Sequence, residues 1–216
     1  YAEKDNLYRW DAVNGANISV ANDTAHSLNE NNPHYLVLKG NSNGKSGVEN
    51  RGFLDGMSIV AGEKYNVSFY AKGEYSGKIY INLAVNGQVV GSTSVEAITD
   101  EWTKYTAEIT ANTTAHQDVT LQVLVDDGEV YLDMISLFTE DTYKNRENGL
   151  RADMCKLLEE MQPKFLRFPG GCITEGYDEK SAYNWKDSIG TGSNGLPLLF
   201  NGKYGDVATR KQGVNL

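Results

Sequence analysis

Cysteine is scarce in this chain of 216 residues, with only two present. Two cysteines can make neither a disulfide framework nor a structural zinc site. Long apolar runs are missing as well: no stretch of about 18 apolar residues occurs, so no membrane-spanning helix is expected. Basic residues are outnumbered, 20 Lys and Arg against 29 Asp and Glu, for a formal net charge of −9. A pI near 4.9 argues against nucleic acid as a partner, because that binding rests on cations neutralising phosphates. The opening residues Tyr1 to Asn6 show no apolar core of a secretory leader, and none is expected in this stretch. Hydrophobic residues make up 40% of the chain, enough to bury a core and to exclude a disordered segment. The length suits one domain plus a remainder as well as two domains.

Charge divides unevenly. Residues 1–142 hold 9 Lys and Arg against 20 Asp and Glu, whereas residues 143–216 hold 11 against 9. The asymmetry suggests two structural units meeting near position 140, although acidic loops on a solvated β-domain would produce the same imbalance. Periodicity points to the same boundary. Tyr35 to Lys39 reads as a strand ending at Gly40, and Ser58 to Val60 as another. In Tyr65 to Ala71 the apolar Tyr65, Val67 and Phe69 alternate with Asn66, Ser68 and Tyr70, the period of a half-buried strand. Lys78 to Val85 meets Asn86-Gly87, a strong hairpin signal, and Gln88 to Val90 returns. Lys104 to Thr110, Val119 to Val125 and Val130 to Phe138 complete the set. Many short strands without a helical period between them predict a mainly β fold, a jelly-roll sandwich over residues 1–140.

Three stretches carry a resemblance: Gly62 to Lys72, Asp100 to Tyr105, and Tyr131 to Leu137. In order and spacing they resemble carbohydrate-binding modules of families 4 and 9, galactose-binding-like jelly rolls that bind polysaccharides or sugars, often with a structural calcium. A sugar ring offers an apolar C–H face and a rim of hydroxyls, so its site wants an exposed aromatic platform beside polar side chains. The candidates are Trp10, Tyr8, Tyr35, Tyr75, Tyr80 and Trp102, with Trp102 and Tyr105 expected in the core. Tyr75 and Tyr80 flank the Ser76-Gly77 turn and are expected to be exposed. Asp133 matches the position of a calcium-ligating Asp in the related modules. Calcium needs six to eight oxygens, so Asp133 serves equally as a satisfied strand-end carboxylate. A sandwich of this shape without a sugar site would be a spacer.

Beyond residue 140 the period changes. Leu150, Met154, Leu157, Leu158 and Met161 form the stripe of an amphipathic helix, with Asn148 as a cap and Pro163 as its stop. Lys164 to Phe168 reads as a strand that ends on Pro169-Gly170-Gly171. Helix, strand and Gly-rich turn make half of a repeat of a parallel α/β barrel, and such a piece cannot bury its faces alone. Residues 141–216 are therefore expected to be an incomplete start of a (β/α)8 barrel. Asn148 to Met154, Pro163 to Cys172 and Tyr183 to Gly190 resemble the α-L-arabinofuranosidases of glycoside hydrolase family 51. Some members carry a sandwich inserted after the first barrel strand, the order met here.

That resemblance implies a retaining hydrolase that removes terminal α-L-arabinofuranosyl groups from arabinose-containing plant polysaccharides. It places Gly170, Gly171 and Cys172 at the carboxyl end of a barrel strand, lining the pocket for the terminal sugar, with Trp185 nearby or packed beneath the loop. Arg167 is expected in a structural ion pair. Retention needs two carboxyl groups about 5 Å apart, which the family supplies as Glu on later strands, one within an Asn-Glu pair. Asn29-Glu30 lies in the sandwich, and Glu175 after the Gly-Gly-Cys turn has no partner. No catalytic residue is therefore assigned in this chain, which alone should be inactive. No cofactor is expected for catalysis. The expected partners are an arabinose-containing glycan, the remainder of the barrel, and a second copy through the exposed helix face. A stand-alone carbohydrate-binding module and a purely structural sandwich are the alternatives. Sequons at Asn17, Asn22, Asn66 and Asn112 matter only on a eukaryotic secretory route. Bacterial cytoplasm, periplasm and secretion all stay open.

Overall fold

A computed structural model describes residues 7–29, 33–52, 56–96 and 98–165. Eleven strands run in chain order: β1 Trp10–Val13, β2 Asn17–Asn22, β3 His34–Lys39, β4 Ser46–Asn50, β5 Met57–Ile59, β6 Lys64–Lys72, β7 Ile79–Val85, β8 Gln88–Val95, β9 Thr103–Thr110, β10 Ala115–Val125 and β11 Glu129–Thr139. One α-helix, α1, spans Ala152–Met161. The strands form two antiparallel sheets. The first runs β1-β4-β10-β7-β8, with β5 also paired to β10, and the second runs β2-β3-β11-β6-β9. The sandwich expected from the alternating pattern is the fold observed.

Between the sheets lies the core. In β6 the alternation of Tyr65, Val67, Phe69 and Ala71 sends those four inward, and in β7 Ile79, Ile81 and Leu83 do the same. Val119, Leu121, Val123 and Val125 of β10 face Val130, Leu132 and Ile135 of β11 across the gap. Phe69 is fully buried and stacks on Tyr105, with ring centroids 5.9 Å apart. Asn86 and Gly87 both take positive φ, 50° and 78°, which closes the β7–β8 hairpin in the geometry that follows strand twist.

Three strands stand outside those read from the sequence. β1 and β2 are short, and β4 is short and mostly polar. In β4 the core-facing positions are Ser46, Val48 and Asn50, and both polar residues have partners. The Ser46 hydroxyl accepts from the Asn41 N–H at 3.0 Å, and Asn50 Oδ1 accepts from the Gly52 N–H at 2.7 Å. A buried polar strand is tolerated because each such group is satisfied.

Beyond β11 the chain makes a bridge between Thr142 and Arg151 before entering α1. Asn148 is not the helix cap: it sits at positive φ (49°) in the turn before that bridge, and Arg151 takes the cap position. Asp153 serves the helix start instead, accepting from the Met154 N–H at 2.8 Å and pairing with Arg151 at 2.6 Å. Gln162 in the left-handed region closes the helix before Pro163. The stripe of Leu150, Met154, Leu157, Leu158 and Met161 stands in solvent, as does Phe165. The strand expected at Lys164 to Phe168 falls largely outside the described residues. No helix among the described residues is long and apolar enough to cross a membrane.

Candidate functional site

The outward face of the first sheet holds two rows of side chains in strict register. One is polar: Ser92 of β8, Asn82 of β7, Gln122 of β10, Glu49 of β4 and Asp11 of β1 lie directly opposite one another. At about 4.8 Å between strands this row extends roughly 19 Å. Asn82 Nδ2 donates to Gln122 Oε1 at 3.5 Å, and Gln122 Nε2 donates to Glu49 Oε2 at 3.2 Å. The Thr120 hydroxyl reaches the same Glu49 oxygen at 3.4 Å. Gln122 is buried at the centre, while Asn82 and Glu49 on either side are half-buried.

Two residues along the strands runs a second row, Ser94, Tyr80, Leu124, Gly47 and Val13, apolar from Tyr80 onward. Gly47 is required there by space, since a Cβ would stand 2.0 Å from the Val123 carbonyl oxygen. Tyr80 is fixed at its hydroxyl, which donates to Asp126 Oδ2 at 3.2 Å. Desolvation and that carboxylate raise the phenol's pKa, so it remains a donor. The Lys45 ammonium stands 3.6 Å from the centre of the ring. The Tyr80 platform is therefore capped by a cation from the loop before β4, and a ligand must move it aside.

Other candidate aromatics go elsewhere. Tyr75, expected exposed beside the Ser76-Gly77 turn, is buried at 6% exposure. Its hydroxyl donates to the Lys78 carbonyl at 3.0 Å and accepts from the Asp126 N–H at 2.9 Å, so the ring is sealed into the sandwich end. Trp10 packs against the core and also lines a cavity of about 380 Å³ with Leu7, Tyr8, Arg9, Asp11 and Arg51. In that cavity Tyr8 is half-exposed, and Arg51 pairs with Asp11 at 2.6 Å.

Tyr35, Trp102 and Tyr131 gather on the outward side of the second sheet, where Tyr35 meets the other two edge-on. The Lys72 ammonium stands 5.1 to 5.8 Å from all three ring centres and donates to the His26 carbonyl at 2.6 Å. Trp102, expected in the core, sits in this box and donates from Nε1 to the same carbonyl at 2.9 Å. The box is filled from within and pins the loop at 23–29. Trp102→Phe should cost about 1 kcal/mol, the worth of one hydrogen bond. Urea denaturation and faster amide exchange at 23–29 would register it.

Asp133 lies within β11 rather than at its end, at a bulge where Met134 takes φ 51°. Its side chain points outward opposite Tyr70, and its Oδ1 accepts from the Met134 N–H at 2.7 Å. Burial raises the carboxyl's pKa to about 7, partly opposed by that N–H. Among the described residues no group of three or more His, Cys, Asp or Glu could hold a metal ion. Asp133 alone supplies at most two of the six to eight oxygens that calcium takes. Gly170, Gly171, Cys172 and Trp185 lie outside the described residues, with Arg167 and Glu175.

Comparison with known proteins bears on both halves of the chain. The family described as "Carbohydrate binding domain" matches residues 1–128. The chain belongs to that family. Strand β11, at the centre of the second sheet, follows the end of the match. "Alpha-L-arabinofuranosidase 1 domain" matches residues 157–215. The chain is 34% identical over 182 residues to an extracellular exo-alpha-L-arabinofuranosidase of Streptomyces chartreusis, covering 79% of this chain and 21% of that protein. It is 31% identical over 194 residues to alpha-L-arabinofuranosidase A of Aspergillus niger, covering 86% and 30%. The chain thus spans less than a third of the length of these relatives. A solved structure described as "CBM4 structure and function" has a TM-score of 0.47 and 19% identity, over 63% of this chain and 99% of that one.

Proposed function

We propose that the outward face of the first sheet binds an extended glycan chain lying across the strands. The observation that carries this is the pairing of two adjacent rows in register, one apolar and one polar. A sugar ring has that same division. Its C–H face would rest on Tyr80 and Leu124. Its hydroxyls would exchange hydrogen bonds with the Asn82 and Gln122 amides, which both donate and accept, and would donate to the Glu49 carboxylate, which only accepts. Lys45 would be displaced from the Tyr80 ring as the sugar enters. None of the polar members stands out in the sequence as a motif; only Tyr80 was legible as a candidate.

The wider protein is proposed to share the activity of its relatives, a retaining hydrolysis that releases terminal α-L-arabinofuranosyl groups from arabinose-containing polysaccharides. The sandwich would hold the polymer near the reaction. Residues 141–216 would begin a (β/α)8 barrel, with the exposed stripe of α1 covered by further barrel elements, because a lone amphipathic helix buries nothing. Gly170, Gly171, Cys172 and Trp185 would contribute to the sugar pocket there. The two carboxyl groups that retention requires are not assigned among residues 1–216, and this chain alone is expected to release no arabinose.

Calorimetric titration of the full chain with arabinoxylan and arabinan oligosaccharides tests the binding face. Saturable heat is expected. Asn82→Ala should weaken binding about tenfold, or 1.4 kcal/mol, with the denaturation midpoint held within a few tenths of a kcal/mol by its half-buried position. Absence of heat with either glycan would leave the sandwich a structural unit. Heat that Asn82→Ala leaves unchanged would move the site off this face.

A further inference from the structure

We infer that Glu49 makes this face selective for neutral glycans and that it rejects chains carrying uronate groups. The inference rests on the binding face proposed above. Glu49 stands at the fourth position of the polar row, half-buried, with Gln122 on one side and Asp11 on the other. Both of its hydrogen-bond donors, the Gln122 amide and the Thr120 hydroxyl, are neutral. Among the described residues no cation pairs with it. Of the charges nearby, Asp11 pairs with Arg51, Asp126 receives the Tyr80 hydroxyl, and the Lys45 ammonium is held on the Tyr80 ring.

Glu49 thus brings a negative charge without an ion-pair partner among the described residues to a half-buried surface, where a like charge is costly. To a neutral sugar it is an asset. A carboxylate accepts hydroxyl hydrogen bonds that are shorter and stronger than those of an amide oxygen. To a uronate the same oxygen is repulsive, and like-charge juxtaposition is one way a binding surface rejects the wrong partner. The surrounding field acts in the same direction, since residues 1–142 hold 20 acidic against 9 basic residues.

The test titrates the full chain with a neutral arabinoxylan oligosaccharide and with a xylan oligosaccharide of equal length bearing glucuronosyl groups. At low salt the neutral ligand should bind at least about tenfold tighter, a difference that narrows as salt screens the repulsion. Glu49→Gln should shift the two ligands in opposite directions: several-fold weaker for the neutral chain and about tenfold tighter for the acidic one. A purely structural role for Glu49 would move both the same way, and that result overturns the inference, as would equal binding of both ligands by the unmodified chain. If the unmodified chain binds neither, the glycan-face reading itself fails and the selectivity falls with it.

Discussion

Tyr75→Ala is expected to destabilise the sandwich by about 3–5 kcal/mol, the range for removing a buried aromatic ring. The ring fills the space between two turns. A Cβ on Gly77 would stand 2.3 Å from the Tyr75 hydroxyl oxygen, and one on Gly128 would stand 2.7 Å from the ring. Those glycines are there because the tyrosine occupies the room that side chains would need. Through its hydroxyl the residue ties the turn before β7 to the β10–β11 hairpin, at Lys78 and Asp126. Removing it also leaves the Asp126 N–H without that acceptor and loosens the carboxylate that holds Tyr80. Tyr75→Phe keeps the packing and should lose about 1–2 kcal/mol with the two hydrogen bonds. Urea denaturation followed by tryptophan fluorescence measures both. An unshifted midpoint in Tyr75→Ala, together with lost glycan binding, would make Tyr75 a ligand contact and overturn its structural role.

The second large effect concerns Asp133 and runs with pH in an unusual sense for a carboxylate. Burial lifts its pKa from 3.8 to about 7 in the folded chain. Between those values the folded protein keeps a proton that the unfolded chain has released. Its contribution to stability is therefore fully present below about pH 4 and is lost as pH rises toward 7. At 1.36 kcal/mol per pH unit the loss has a ceiling of about 4 kcal/mol. Asp133→Asn removes the ionisation while retaining an oxygen for the Met134 N–H. In chelator the variant should be the more stable protein above pH 7, by up to that amount, and the two should converge near pH 4. A variant less stable than its parent at neutral pH in chelator would overturn the burial argument. Calcium that then raised the parent's midpoint and left the variant's unchanged would assign Asp133 to an ion instead.

Much of the sandwich is legible in the amino-acid sequence because half-buried strands alternate. Tyr65, Val67 and Phe69 declare an inward face without reference to any other part of the chain. So do Ile79, Ile81 and Leu83, and Asn86-Gly87 fixes the hairpin between β7 and β8 through local backbone preference alone. The amphipathic stripe of α1 is equally local. β4 escapes such reading, since Ser46, Gly47, Glu49 and Asn50 show no apolar period. Its strand exists because β10, more than 70 residues away, offers it an edge and the core accepts its satisfied polar groups. Tyr75 escapes too, for the sequence places it beside a turn but does not show the Gly128 hairpin closing over it.

The candidate site follows the same division. Composition and alternation determine that this protein is an acidic β-sandwich with an unpartnered helical extension, and that Tyr80 faces outward. Which residues stand beside Tyr80 was decided only by the tertiary structure. Asn82, Gln122, Glu49 and Asp11 come from four strands spread over more than a hundred residues, and their alignment depends on the register of three strand pairs. Register answers to the whole buried core, because a slip of one residue would turn every inward side chain out to water. A row across strands is a non-local object, and no single stretch of sequence contains it.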